Sequence, residues 1–185
     1  MLPAVVGRHD AALVIRTDFA DAAAWPAVRA ELSGPWCDGD LDPQIHVVDD
    51  PAWDGAAADD VIAAVRADEE LTVVFLADST TMRDHGHPLL AVAVPTRNDC
   101  ASDEEFEAAG GTVRTVPAGI EAIHANLSIA NLDFADVVDA ARTDPAGVFR
   151  SFWLSDRSAY SGAGPGPAGA TSRGPRGAGR RVRRG

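Results

Sequence analysis

The chain has 185 residues, 46% hydrophobic and 24% charged, an ordinary composition for one globular domain. Two Cys exclude a disulfide scaffold, and no apolar run reaches the ~18 residues that a membrane-spanning helix needs. The net charge of −12 hides a division: residues 1–156 hold all 28 acidic residues and nine of the sixteen Arg, a balance of −19, whereas residues 157–185 hold seven Arg and no acid, +7. A body this acidic repels nucleic acid and anionic membranes and attracts cationic partners, although a negative surface also serves solubility alone.

The opening MLPAVVGRHD is no signal peptide, because Arg8, His9 and Asp10 interrupt its apolar stretch. A cytoplasmic location is therefore expected, with Cys37 and Cys100 as reduced thiols. They have no CxxC partner and form no zinc pattern.

In chain order, Ala12–Thr17 reads as a first buried strand. Trp25, Val28 and Leu32 then mark one face of a helix that Pro26 forces to start late or kink, with Asp18 or Asp21 as its cap. Residues 33–43 form a loop. Gln44–Val48 is a second strand, Ala57–Ala67 a second helix, and Leu71–Ala77 a third strand, apolar enough to be buried on both faces. A loop over Ser79–His87 leads to a fourth strand, Pro88–Val94. Residues 97–111 form a loop or short helix. Thr112–Val116, with its mixed pattern, is expected at a sheet edge. A short helical turn over Ile120–Ala125 follows, then an amphipathic helix carrying Phe134, Val137, Val138 and Ala141. Val148–Trp153 is either a short strand or an aromatic clasp over the core. The β-α-β-α-β opening favours parallel pairing and the later β-β order a mixed sheet. The expectation is one α/β domain over residues 10–154, with about five strands in a mostly parallel or mixed sheet and flanking helices. From residue 155 a Gly/Pro/Arg-rich tail is too poor in apolar residues to fold, so it is expected to be disordered.

Open α/β sheets place ligands at the carboxyl ends of their strands. Those ends carry Asp18, Asp49, Asp50 and Asp78. Four carboxylates can hold Mg²⁺ for phosphoryl chemistry, but Asp at such places also caps helices and closes turns. Asp84-His85-Gly86-His87 offers two imidazoles for a metal without a third nitrogen or sulfur nearby, so metal binding is not expected there. The chain has no GxGxxG directly following its first strand, no Lys for a phosphate loop, no GxSxG, CxxC or HExxH. No cofactor is implied. Asn126 and Asn131 either close turns beside a helix cap or line a pocket with their amides. Trp36, Trp53 and Phe152 lie beside loops or the end of the domain, as core packing or as anchors for a partner.

The blocks LVIRTDFAD (13–21), VVDDPAWDG (47–55), VVFLADSTTM (73–82), HPLLAVAV (87–94), TVRTVPAGI (112–120), NLSIANLDFADVVDA (126–140) and GVFRSF (147–152) resemble an uncharacterised family from high-GC bacteria, described only as a domain of unknown function. The NLSIANLDF block is the most specific. The resemblance covers residues 12–152, not the tail, and implies no activity, cofactor or catalytic residue.

Two functions are compatible with these residues. The first is a non-catalytic acidic module of the small immunity or regulatory kind, binding a basic protein, with no membrane contact and at most weak nucleic-acid contact through the Arg-rich tail. The second is a Mg²⁺-dependent hydrolase or phosphotransfer enzyme using Asp18, Asp49, Asp50 and Asp78. Convergence of those carboxylates in space separates the two.

Overall fold

A computed structural model describes residues 2–3, 11–34, 44–65, 71–95, 101–102, 104 and 109–150. Trp36, Phe152, both Cys and the tail lie outside the described residues. The strands are β1 (Ala12–Arg16), β2 (Ile45–Val48), β3 (Val73–Ala77), β4 (Leu89–Ala93), β5 (Thr112–Thr115) and β6 (Val148–Phe149). They form one mixed sheet in the order β2-β1-β3-β4-β5-β6. β1 lies parallel to β2 and β3, β4 runs antiparallel to β3 and β5, and β6 is parallel to β5. The helices are α1 (Trp25–Leu32), α2 (Ala58–Val65), α3 (Ser79–Arg83), α4 (Ile120–Ser128) and α5 (Phe134–Arg142).

The near-continuous apolar strands are explained by covering on both faces. Val14, Val73 and Phe75 pack with Trp25 and Val28 of α1, Ile120 and Ile123 of α4, and Val137 of α5. The alternate residues Leu13, Ile15, Val74 and Leu76 face the other way, onto Trp53 and onto Val61 and Val65 of α2. α1 and α2 thus lie on opposite faces. That follows from right-handed crossovers that leave β1 in one direction and return past it in the other. Among the described residues no helix is long and apolar enough to cross a membrane.

Four local expectations need correction. Ser79–Arg83 is one helical turn, not loop: the Asp78 carboxylate accepts from the N–H groups of Thr80 and Thr81 at 3.0 and 3.1 Å, and buried Thr81 and Met82 anchor the turn to the core. β5 is not an edge strand, because the two residues of β6 pair with it. Its polar-looking Arg114 is half-buried and ionically paired rather than solvated. Helix α4 is longer than the single turn expected, running on to Ser128. Neither Asp18 nor Asp21 caps α1, whose first turn is closed at Ala24 without a side-chain bond. They close the turns before it, accepting from Ala20 N–H and from the Ala23 and Ala24 N–H groups. Pro26 sits in the first turn of α1, where its missing N–H costs nothing.

Candidate functional site: the carboxyl edge of the sheet

Because β1, β2 and β3 run in one direction, their carboxyl ends share one edge. β1 is flanked by β2 on one side and β3 on the other, so the chain reverses its winding there, at the position where open α/β sheets receive ligands. Three polar clusters are built on this edge.

The first is centred on Arg16, the last residue of β1. Its guanidinium carbon lies 4.0 Å from the Phe19 ring centroid and 4.9 Å from that of Trp25, within cation–π range of both. Nε donates to the Asp18 carbonyl at 2.8 Å. Nη1 donates to Asp49 Oδ1 at 3.2 Å. The other carboxylate oxygen of Asp49 accepts from the Trp25 indole N–H at 2.7 Å. The Arg16 side chain is 7% exposed and that of Asp49 33%, so the pair is wet only on its acidic side. Nη2 of Arg16 is buried with no hydrogen-bond partner among the described residues.

In the second cluster, Asp78 at the end of β3 faces Arg114 of β5. The two Arg114 amino groups donate to Oδ1 at 2.9 Å and Oδ2 at 2.6 Å, a bidentate fork that fits a carboxylate. Arg114 also donates to the Pro88 carbonyl at 3.3 Å, and the Thr81 hydroxyl donates to that same oxygen at 2.9 Å. Partial burial works to raise the Asp78 pKa; hydrogen bonds from Arg114, Thr81 and Thr80 and the charge of Arg114 outweigh it and hold the carboxyl below its ordinary value.

The third cluster joins the end of β1 to the turn after β2. Asp54 Oδ1 accepts from Phe19 N–H at 3.1 Å, and Gly55 N–H donates to the Thr17 carbonyl at 2.9 Å. Gly55 has φ +72°, a left-handed conformation that suits glycine. Asp50 caps the 3-10 turn Pro51–Trp53 by accepting from Ala52 N–H.

The four strand-end aspartates therefore share an edge but not a centre. Asp49 belongs to Arg16 and Trp25, Asp78 to Arg114 and α3, Asp50 to its own turn and Asp18 to the Ala20 N–H. Among the described residues no group of three or more His, Cys, Asp or Glu is placed to hold a metal ion. His85 is exposed, and His87 Nδ1 lies 2.8 Å from the Thr81 carbonyl, a structural contact.

Trp53 is fully buried against α2. Asn126 and Asn131 are brought together: Asn131 Nδ2 donates to Asn126 Oδ1 at 2.7 Å, and Asn126 Nδ2 donates to the Ala122 carbonyl at 2.7 Å. The two amides bond to one another across the α4–α5 corner, and Asp133 with Asp136 forms the capping box of α5. Arg16 and Arg114 were missed in the sequence. A signal existed for Arg16: a cation ending a buried apolar strand needs a carboxylate partner.

No curated protein and no solved structure matches the chain. Residues 11–152, which span every strand and helix described above, match the family model of a domain of unknown function, DUF6924, and the chain belongs to that family.

Proposed function

We propose that the domain is a non-catalytic module, of the small immunity or regulatory kind and acting in the cytoplasm, that receives a basic protein at the carboxyl edge of its sheet. One observation carries this reading. The strand-end carboxylates Asp49 and Asp78 are neutralised by Arg16 and Arg114, while the segments that follow β1 and β2 present exposed Asp21, Asp50, Asp54, Asp59 and Asp60, none of them paired with a cation among the described residues. The two paired carboxylates are spent on the fold; the others keep their charge, even where a backbone N–H holds them, and leave a negative field. Such a field steers a cationic partner and fixes its orientation, with affinity drawn from the contacts that close afterwards. The Mg²⁺-enzyme reading needs convergent carboxylates, and among the described residues no three or more His, Cys, Asp or Glu are grouped to hold a metal ion.

The test is capture from an extract of the source organism at low and moderate salt, using the full chain and the Asp54→Asn, Asp59→Asn, Asp60→Asn variant. A basic protein held by the wild type, released by salt and not held by the variant supports the reading. Mg²⁺-dependent phosphoester hydrolysis, lost in both Asp18→Asn and Asp78→Asn, overturns it.

A further inference from the structure

We infer that the chain's own arginine-rich C-terminus, Arg173–Arg184, docks in cis on this acidic edge and seats an arginine in a cleft beside α2. The cleft has a volume of about 470 Å³. Leu2, Ala56, Ala63 and Ala64 line it together with Asp54 and Asp60. Gly55 also lines it, and a Cβ placed there would meet nothing within 4 Å. A lining of one Leu and three Ala beside two carboxylates fits the chemistry of one side chain in particular. The methylene stem of arginine lies on apolar surface while its guanidinium reaches a carboxylate. Asp54 and Asp60 are held in place by the N–H groups of Phe19 and Ala57, at 3.1 and 3.2 Å. Those bonds orient the carboxylates without neutralising them. Among the described residues neither is paired with a cation.

The occupant is identified by charge, direction and length. Residues 173–184 contain six Arg, and no acidic residue follows Asp156. β6 runs parallel to β5, which has the same direction as β1, β2 and β3. The chain therefore leaves β6 at the same edge that carries the cleft. Five strand spacings separate β6 from β2 in the sheet order, about 24 Å at ~4.8 Å each. The 23 residues from Arg150 to Arg173 span up to about 75 Å when extended. The tether reaches with slack to spare. At the roughly millimolar effective concentration of a short tether, a contact of only about 100 µM intrinsic affinity is about nine-tenths occupied.

This inference rests on the reading of the edge as a seat for basic groups, and adds that the seat is filled from within and must be vacated for a partner. The test compares amide NMR spectra of the full chain and of a full chain with Arg173, Arg176, Arg180, Arg181, Arg183 and Arg184 replaced by Ser, at 20 and 500 mM NaCl. A synthetic peptide of residues 171–185 is then titrated into the six-Ser protein. The expected result is a set of shifts concentrated at Gly55, Ala56, Ala63 and Ala64 that vanish at high salt. The peptide should restore them in the six-Ser protein and bind the wild type about tenfold more weakly. Spectra that coincide at the cleft, with a peptide that still perturbs it equally in both proteins, overturn cis docking and leave the edge reading standing. Shifts confined to other surfaces also overturn cis docking. A peptide that perturbs neither protein overturns cis docking and counts against the edge reading as well. Asp54→Asn with Asp60→Asn should abolish the cleft shifts; persistence in that variant overturns the assignment of the seat.

Discussion

Asp49→Ala tests whether the Asp49 carboxylate holds the arginine that lies between Phe19 and Trp25. Removing one partner of a well-buried ion pair costs about 3–5 kcal/mol, and an exposed pair is worth about 0–1 kcal/mol. Here the arginine side chain is 7% exposed and the aspartate 33%, so the cost lies between these limits. Water can fill the place of the lost carboxylate and reach Nη1 in part, but Nη2 stays dry. The Trp25 indole N–H loses its acceptor as well, worth about 1 kcal/mol. Together these give about 2–3 kcal/mol for Asp49→Ala. Arg16→Met keeps the apolar stem between Phe19 and Trp25 and leaves Asp49 free to hydrate, so it should cost about 1–2 kcal/mol. Once Arg16→Met is in place, adding Asp49→Ala should cost only about 1 kcal/mol more, the indole bond alone. The measurement is urea denaturation of the wild type, the two single variants and the double variant, followed by tryptophan fluorescence and far-UV circular dichroism. A loss under about 0.5 kcal/mol for Asp49→Ala, or the same loss with and without Arg16, refutes the reasoning, because mutual dependence is what the pair predicts.

Three further outcomes follow from the packing. Trp53 is fully buried, and its indole nitrogen has no hydrogen-bond partner among the described residues, so Trp53→Phe should stay within about 1 kcal/mol of wild type and Trp53→Ala should lose about 3–5 kcal/mol; thermal and urea melts decide, and a mild Trp53→Ala would show that this residue is not core. Asp78 titrates below its ordinary 3.8 in the folded state. The unfolded chain therefore takes up that proton first, and the stabilisation is complete above about pH 4 and fades as pH falls through the lowered folded value. Asp78→Asn should flatten that part of the acid limb in stability-versus-pH curves, and an unchanged limb would contradict the pairing with Arg114. A Cβ on Gly119 would collide with the Thr115 hydroxyl and sit 3.0 Å from the Phe149 ring, where the hydroxyl is already bonded to the Phe149 carbonyl. Gly119→Ala should cost about 2 kcal/mol or more by overpacking, and a neutral melt would show that the α4 entry gives way.

The strands β1, β3 and β4 were legible because continuous apolar runs bounded by Asp or Pro leave few other readings. So was α5, whose apolar stripe is sharp and whose start carries Asp133. α3 was hidden by its length: a single turn of Ser, Thr and Met has no period to detect, and it forms because Asp78 caps it and the core takes Thr81 and Met82. The misreading of β5 has the same root. Arg114 in a short strand looks solvated until its carboxylate is known, and that carboxylate is 36 positions away.

From its residues alone the chain determined which segments must be buried, that the opening winds parallel, and that its body is strongly acidic. Those are local or additive properties, set by pattern and composition. Only the tertiary structure decided which charges meet. Arg16 finds Asp49 across 33 positions because β2 is laid beside β1, and Asp78 finds Arg114 because β4 reverses between β3 and β5. Strand order is chosen by the packing of two helical layers on one sheet, a balance of burial over the whole domain. No short stretch of sequence carries it, so neither the cage around Arg16 nor the dispersal of the strand-end aspartates was present in any local pattern.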